Sequence, residues 1–234
     1  MAEECLICKE PLVYLEEAEE MVCAICHKKE AARVRCVQGH YICDACHSQG
    51  LEAIYAICQT ATSTDPIAIL EKMMDMPFCH MHGPEHHVLV GAALLTAYKN
   101  VGGKVDFDRA LREMVRRGRQ VPGGVCGFWG TCGAGISTGI FLSLITDSSP
   151  LSGAGWGLSN EMTSRALNRI AQSGGPRCCK RDSYSAILSA IDFVQAHFGI
   201  EMTRSSIRCR RFAQNNQCLQ EACPYHPKST SARP

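Results

Sequence analysis

The sequence predicts a mainly α protein, a cysteine-rich helical bundle flanked by small zinc-stapled modules. Three observations carry that prediction. Apolar residues recur at helical spacing through most of residues 67–200, and no alternating β pattern competes with them. Sixteen cysteines, far above ordinary usage, fall in C-x-x-C pairs and Cys/His clusters. Eight of them lie in the first sixty residues and three more close to the C-terminus. Residues 1–60 are therefore expected to form a two-zinc module, 67–200 an all-α bundle, and 201–234 a basic finger and tail.

The bundle can be justified element by element. With 234 residues and 46% apolar content, the chain has enough material for a real core. "QTATSTDP" (59–66) reads as a polar linker that ends in a helix start: Asp65 can cap free amides and Pro66 is pre-set for a first turn. Ile67, Leu70 and Met74 continue at helical spacing until Pro77. "HHVLVGAALLTAYKN" (86–100) is apolar nearly all round, which predicts a central helix rather than a surface one. Asp106 caps a stripe of Phe107, Leu111, Met114 and Val115 that Gly118 ends. "GAGISTGIFLSLIT" is the next helix, and "SNEMTSRALNRIAQSGG" follows with Met162, Ala166, Leu167 and Ile170 on one face. The last runs from about Asp182 to His197, with Tyr184, Ile187, Leu188, Ile191 and Val194 facing inward. About six helices joined by short loops make the bundle.

The front of the chain reads as a metal module. Cys5 and Cys8 precede the series Cys23-x2-Cys26-x9-Cys36-x3-His40-x2-Cys43-x2-Cys46. Thiolates two residues apart can bite one zinc ion, and a tetrahedral site needs two such bites. The spacing resembles the first six ligands of RING-type cross-brace fingers, in which alternate pairs share a metal. The last C-x-x-C of that pattern is missing, and Cys5 with Cys8 can replace it. The expected partition is Cys23, Cys26, Cys43 and Cys46 on one zinc, with Cys5, Cys8, Cys36 and His40 on the other. Cys46 then leads into a helix, as in treble-clef folds. His27 and His47 are expected to be exposed, and Cys58 to be a buried helix residue.

In the helical region, soft ligands stand at three helix starts: Cys79, His80 and His82 before one, Cys132 before "GAGISTGIF", and Cys178 with Cys179 before the last. Free amides and the helix dipole favour thiolate there. Glycines surround Cys126 and Cys132 in "GGVCGFWGTCGAGISTGI" and permit close backbone approach to a cofactor or cluster. "GTCGAGISTGIFLSL", followed by "RCCKRDSYSAILSAIDFV", resembles the redox-active helical proteins known by a C…GCAxxG…C…C pattern. The resemblance implies a site that uses Cys132 and Cys178 or Cys179, with Cys79 as the match to the first cysteine. The chain departs from the pattern by carrying histidines at 80, 82, 86 and 87. As a whole it also resembles a cysteine-rich family of methanogens and other anaerobes. The expected central site is Cys79, His82, Cys126, Cys132, Cys178 and Cys179, holding an iron–sulfur cluster or reactive thiols, with Cys132 and Cys126 as the chemically active pair.

Near the C-terminus, Cys209-x8-Cys218-x4-Cys223-x2-His226 resembles a CCCH zinc finger. Three sulfurs and an imidazole complete a zinc set; alternatively the three cysteines join the helical site and leave His226 free. The net charge is +1, but from Arg204 onward six Lys or Arg face the single acid Glu221. That local patch makes RNA a candidate partner through Arg204–Arg211. No basic start leads into an apolar run and no segment has the length of a membrane span, so a cytoplasmic protein is expected. No P-loop lysine or serine nucleophile elbow is present, and Gly133-x-Gly135-x3-Gly139 lacks the strand a dinucleotide loop requires. The functional expectation is a metal-dependent redox or sulfur-handling protein whose zinc fingers dock a protein partner. The alternative is a non-catalytic zinc-finger adaptor, RING-like or RNA-binding, for which "KEPLVYL" is the one apolar groove candidate.

Overall fold

The computed structural model describes Cys5, Ile7, Cys8, residues 10–47, Gly50 and residues 52–229. Lys9 of "KEPLVYL", Ser48, Gln49 and Leu51 at the start of the helix expected after Cys46, and 230–234 of the tail lie outside the described residues.

The front module is built on an antiparallel hairpin of β1 (Leu12–Val22) and β2 (Lys29–Cys36). Periodicity does not announce these strands, because Glu16, Glu17, Glu19 and Glu20 crowd β1 and the ribbon is wet on both faces. Its register sets Leu12 opposite Cys36 and Val22 opposite Lys29, with an irregularity between Tyr14 and Glu19. The pairing returns Cys36 beside the start of β1, within reach of Cys5 and Cys8. A short bridge from Cys23 to Tyr41 and the single turn α1 (Asp44–His47) complete the module.

Eight further helices follow among the described residues: α2 (Glu52–Thr60), α3 (Pro66–Met74), α4 (His86–Asn100), α5 (Phe107–Gly118), α6 (Cys126–Trp129), α7 (Gly133–Ile145), α8 (Ala154–Gln172) and α9 (Cys179–Phe198). The protein is mainly α, as the periodicity predicts. Asp65 caps α3 by accepting the Ile67 amide at 2.9 Å, with Pro66 in the first turn, and Asp106 caps α5 through the Arg109 amide. α4 is buried from His86 to Tyr98 and packs against α2, α3, α5, α7 and α9. α8 starts at Ala154, earlier than its apolar stripe suggests, and lies on α7 and α9. At the α7–α8 crossing, a Cβ on Gly139 would meet Thr163 Oγ1 at 2.0 Å and the Ser159 carbonyl at 3.0 Å. That glycine serves helix packing.

The segment after α9 shares the bundle's core through Met202, Ile207, Cys223 and Tyr225, as does α2 through Ile54 and Cys58. Tyr225 Oη lies 2.9 Å from Ser185 Oγ, and buried Arg211 pairs with Glu71 at 2.9 Å and also with Asp75. The front module docks on the other side. Asp44 Oδ2 accepts the Gly123 amide at 2.8 Å, Arg33 stacks over Phe128, and Arg177 over Tyr14. Gly124, at φ +73°, would drive a Cβ to within 2.6 Å of Val34, so the glycine loop fits this docking contact. No helix among the described residues is long and apolar enough to cross a membrane.

Candidate metal and thiol centres

Two tetrads form in the front module. Cys5, Cys8, Cys36 and His40 make one group and Cys23, Cys26, Cys43 and Cys46 the other, with all ligand atoms of each set within 4.8 Å of one another. This is the partition that the spacing predicts. The Cys8–Cys36 sulfurs are 3.8 Å apart, the Cys26–Cys43 sulfurs 3.6 Å, and His40 Nδ1 is 3.2 Å from Cys8 Sγ. A tetrahedron of ~2.3 Å metal–sulfur bonds has edges of about 3.8 Å, so the donor sets fit a single ion each. Burial opposes ionisation of Cys23, yet the amides of Cys26, Cys43 and Ile25 hold its thiol down at about 6. Cys36 is likewise held at about 7 against its burial by the amides of His40 and Gln38.

Apart from Cys58, which lies in the core against the Ala92 carbonyl, the cysteines of the bundle gather at one end, around the start of α9, but they face three ways. Cys126, Cys132 and Cys179 line a cleft of about 1080 Å³ between the front module and the bundle, together with His82, Arg177 and Asp182. Cys132 is the N-cap of α7 and Cys178 that of α9. Asp182 ties these two helix starts together: its Oδ2 lies 3.8 Å from Cys132 Sγ and 3.4 Å from the Cys178 amide. Cys79 faces elsewhere, 3.0 Å from Lys180 Nζ and 3.7 Å from His86 Nε2. Both ring nitrogens of His82 are engaged, Nδ1 by the Cys179 amide and Nε2 by Asn215 Oδ1.

Cys178 faces the third way, into a small pocket that it shares with Cys209, Cys218, Cys223 and His226. The C-terminal four do not close into a single-ion group as the front tetrads do. His226 Nε2 is buried there without a hydrogen-bond partner.

Helix starts alone would predict ionised thiols, and here the structure corrects the expectation. Burial, joined by Asp182, pushes the Cys132 thiol up to about 12 despite the amides of Ala134 and Gly135. Burial raises Cys178 to about 11 and raises Cys179 as well. Desolvation of a nearly buried anion outweighs a few amide dipoles unless a cation enters.

Sequence reasoning misses two groupings, although it singles out His80 as a soft ligand. Lys180, Arg181 and Asp182, in the first turn of α9, are all buried. Arg181 pairs with Asp182 at 3.1 Å and donates to the carbonyls of Gly174 and Pro176. A run of three charges where a helix enters an apolar core was the available signal. The second set is His47, His80 and Glu85, whose ligand atoms also lie within 4.8 Å of one another. The expectation of an exposed His47 fails because α1 presses it against Glu85, at 3.2 Å.

No curated protein and no solved structure matches the chain. The model of a family of unknown function (DUF5714) matches residues 54–226, a span that runs unbroken from α2 through the bundle to His226. The matched span holds every bundle and C-terminal cysteine and omits both front tetrads, and the chain belongs to this DUF5714 family.

Proposed function

We propose that the protein is a metal-dependent redox or sulfur-handling protein with two zinc ions in its front tetrads and its chemistry at the start of α9. The observation that carries this reading is the meeting of two thiol-bearing helix starts at Asp182, beside a cleft lined by Cys126, Cys132 and Cys179. A purely structural bundle has no need of buried charges and thiols on an open cavity of this size. Thiolate and imidazole donors in tetrahedral groups suit zinc for the front.

Cys178, Cys209, Cys218 and Cys223 are the four thiols that would hold an iron–sulfur cluster, provided they open out around it, because the pocket between them has only about 20 Å³ free. A four-iron cluster takes each thiolate on a different iron, so its sulfurs stand wider apart than those around one ion. Around this pocket the single-ion closure is missing. The lining by Tyr184, Phe212, Leu219 and Tyr225 would keep such a cluster dry. In this arrangement the cleft thiols are electron donors: Cys132, beside both Cys126 and Cys179, can close a disulfide with either neighbour, giving up two electrons and two protons to an electron-accepting partner. All sixteen cysteines are free, which suits a reducing compartment such as the cytoplasm.

The test is reactivity and metal content together. Anaerobically purified chain should contain iron and acid-labile sulfide, and C178S should lose both while keeping its zinc. C132S should keep the cluster and lose thiol-dependent turnover or labelling in the cleft. A chain without iron or sulfide whose cleft thiols resist every alkylating agent would remove the reading.

A docking role accompanies this one. Val22, Ile25 and Val37 are each about half exposed around the front tetrads and suit a protein partner. RNA is less well supported: Arg204 pairs with Asp192, and Arg210 and Arg211 with Glu71 and Asp75, so most of this basic stretch is neutralised within the chain.

A further inference from the structure

We propose that His47, His80 and Glu85 form a binding site for one divalent transition-metal ion, separate from the cysteine centres, with an open coordination position on the cleft. The inference stands whether or not a cluster occupies the C-terminal pocket.

Two imidazoles and a carboxylate form the donor set that zinc and ferrous ions take in catalytic sites, where three protein ligands leave room for water or substrate. Glu85 is fully buried. Its Oε1 accepts the His80 amide at 2.8 Å, which orients the carboxylate and leaves Oε2 for a cation. His47 Nδ1 faces Oε2 at 3.2 Å, and His80 Nδ1 stands 3.6 Å from Oε1. All three atoms, Glu85 Oε2, His47 Nδ1 and His80 Nδ1, are buried, and beyond these His–Glu contacts, which lack hydrogen-bond alignment, none has a partner. Three buried polar atoms turned toward one point without aligned partners are costly unless something fills the point. Bonds of about 2.0–2.2 Å to a common ion would span these separations.

The surrounding chain makes room for the arrangement. A Cβ on Gly83 would meet Glu85 Oε2 at 2.2 Å and His47 Cε1 at 2.4 Å, so this glycine lets the two side chains meet. His47 and His80 also line the cleft that holds Cys126, Cys132 and Cys179. An ion held there would present its free position to whatever occupies that cleft.

A neighbouring trio, Cys79, Glu85 and His86, shares the same carboxylate. It does not compete. Lys180 Nζ lies 3.0 Å from Cys79 Sγ and 2.7 Å from the His80 carbonyl, and its ammonium repels a second cation at that position. The proposal is accordingly for a single ion. His47 follows Cys46 in the front module, whereas His80 and Glu85 precede α4, so the ion would also fasten the module to the bundle.

Zinc counting on the full chain tests the site. After saturation with zinc and desalting, wild type should hold one zinc per chain more than H80A or E85Q, and C79S should match wild type. Cobalt(II) supplies a readout that needs no variant. Added to chain whose cysteine sites are already filled with zinc, it should give d–d bands without a thiolate charge-transfer band, because zinc outcompetes it at those sites. Equal zinc counts in wild type, H80A and E85Q would overturn the proposal, as would the absence of cobalt bands, or cobalt bands of thiolate character that C79S abolishes.

Discussion

Gly83 and Gly139 show how single residues decide what the chain can assemble. In G139A the new methyl group would press on Thr163 and on the α8 backbone, and helix backbone cannot give way as a flexible side chain can. A loss of roughly 1–3 kcal/mol is expected in chemical denaturation, with metal content unchanged. The nearest atoms that a methyl group on Gly83 would meet belong to side chains, so the global stability of G83A should change less while the zinc proposed for His47, His80 and Glu85 is lost. A G83A protein with full zinc content would show that the close approach is not needed. Legibility differs at this scale as well. The front ligands can be read from sequence because their spacing is local, whereas His47 stands more than thirty residues from His80, next to a cysteine that already completes its own tetrad.

Among the elements, the docking of the C-terminal segment on α3 depends on one buried carboxylate. Burial raises the pKa of Glu71, but Tyr184, Arg210 and Arg211 outweigh it and hold the carboxyl below its ordinary 4.5. Its contribution is therefore fully present above the unfolded value and is lost as pH falls through the lower folded one. Thermal unfolding followed from pH 7 downward should show an acid limb that E71Q flattens. At neutral pH, E71Q should cost about 1–3 kcal/mol, since Asp75 still answers Arg211. The same pairs predict that R210A/R211A lowers stability without changing any affinity for RNA; a drop in RNA affinity at unchanged stability would contradict this. Element types were legible where a pattern repeats. α4 is apolar on every side and α9 carries a long stripe, so both can be read directly. The hairpin was not, because a ribbon exposed on both faces needs no alternation, and its acidic β1 is flanked by the candidate ligands Cys8 and Cys23 rather than by apolar residues. The tail's docking was not either: a buried Arg211 looks in sequence like any other member of a basic run.

Across the whole molecule, two kinds of stability coexist. Among the described residues through His47, those buried that could make a core are Cys5, Met21, Cys23, Cys36 and Cys43, and all but Met21 are candidate ligands. From α2 onward a continuous apolar core runs to Tyr225. A strong chelator should therefore unfold the hairpin while most helical circular dichroism survives; cooperative loss of both would mean that the bundle depends on the module. The match to the DUF5714 family covers the second part and not the first, in keeping with that division. The central claim, that thiols at the start of α9 serve a metal centre, is tested most directly by measuring zinc, iron and acid-labile sulfide in anaerobically purified full-length chain. The account predicts zinc for the two front tetrads together with iron and sulfide in near-equal amounts, the iron and sulfide absent from C178S. Zinc alone, with C178S indistinguishable from wild type, would contradict it.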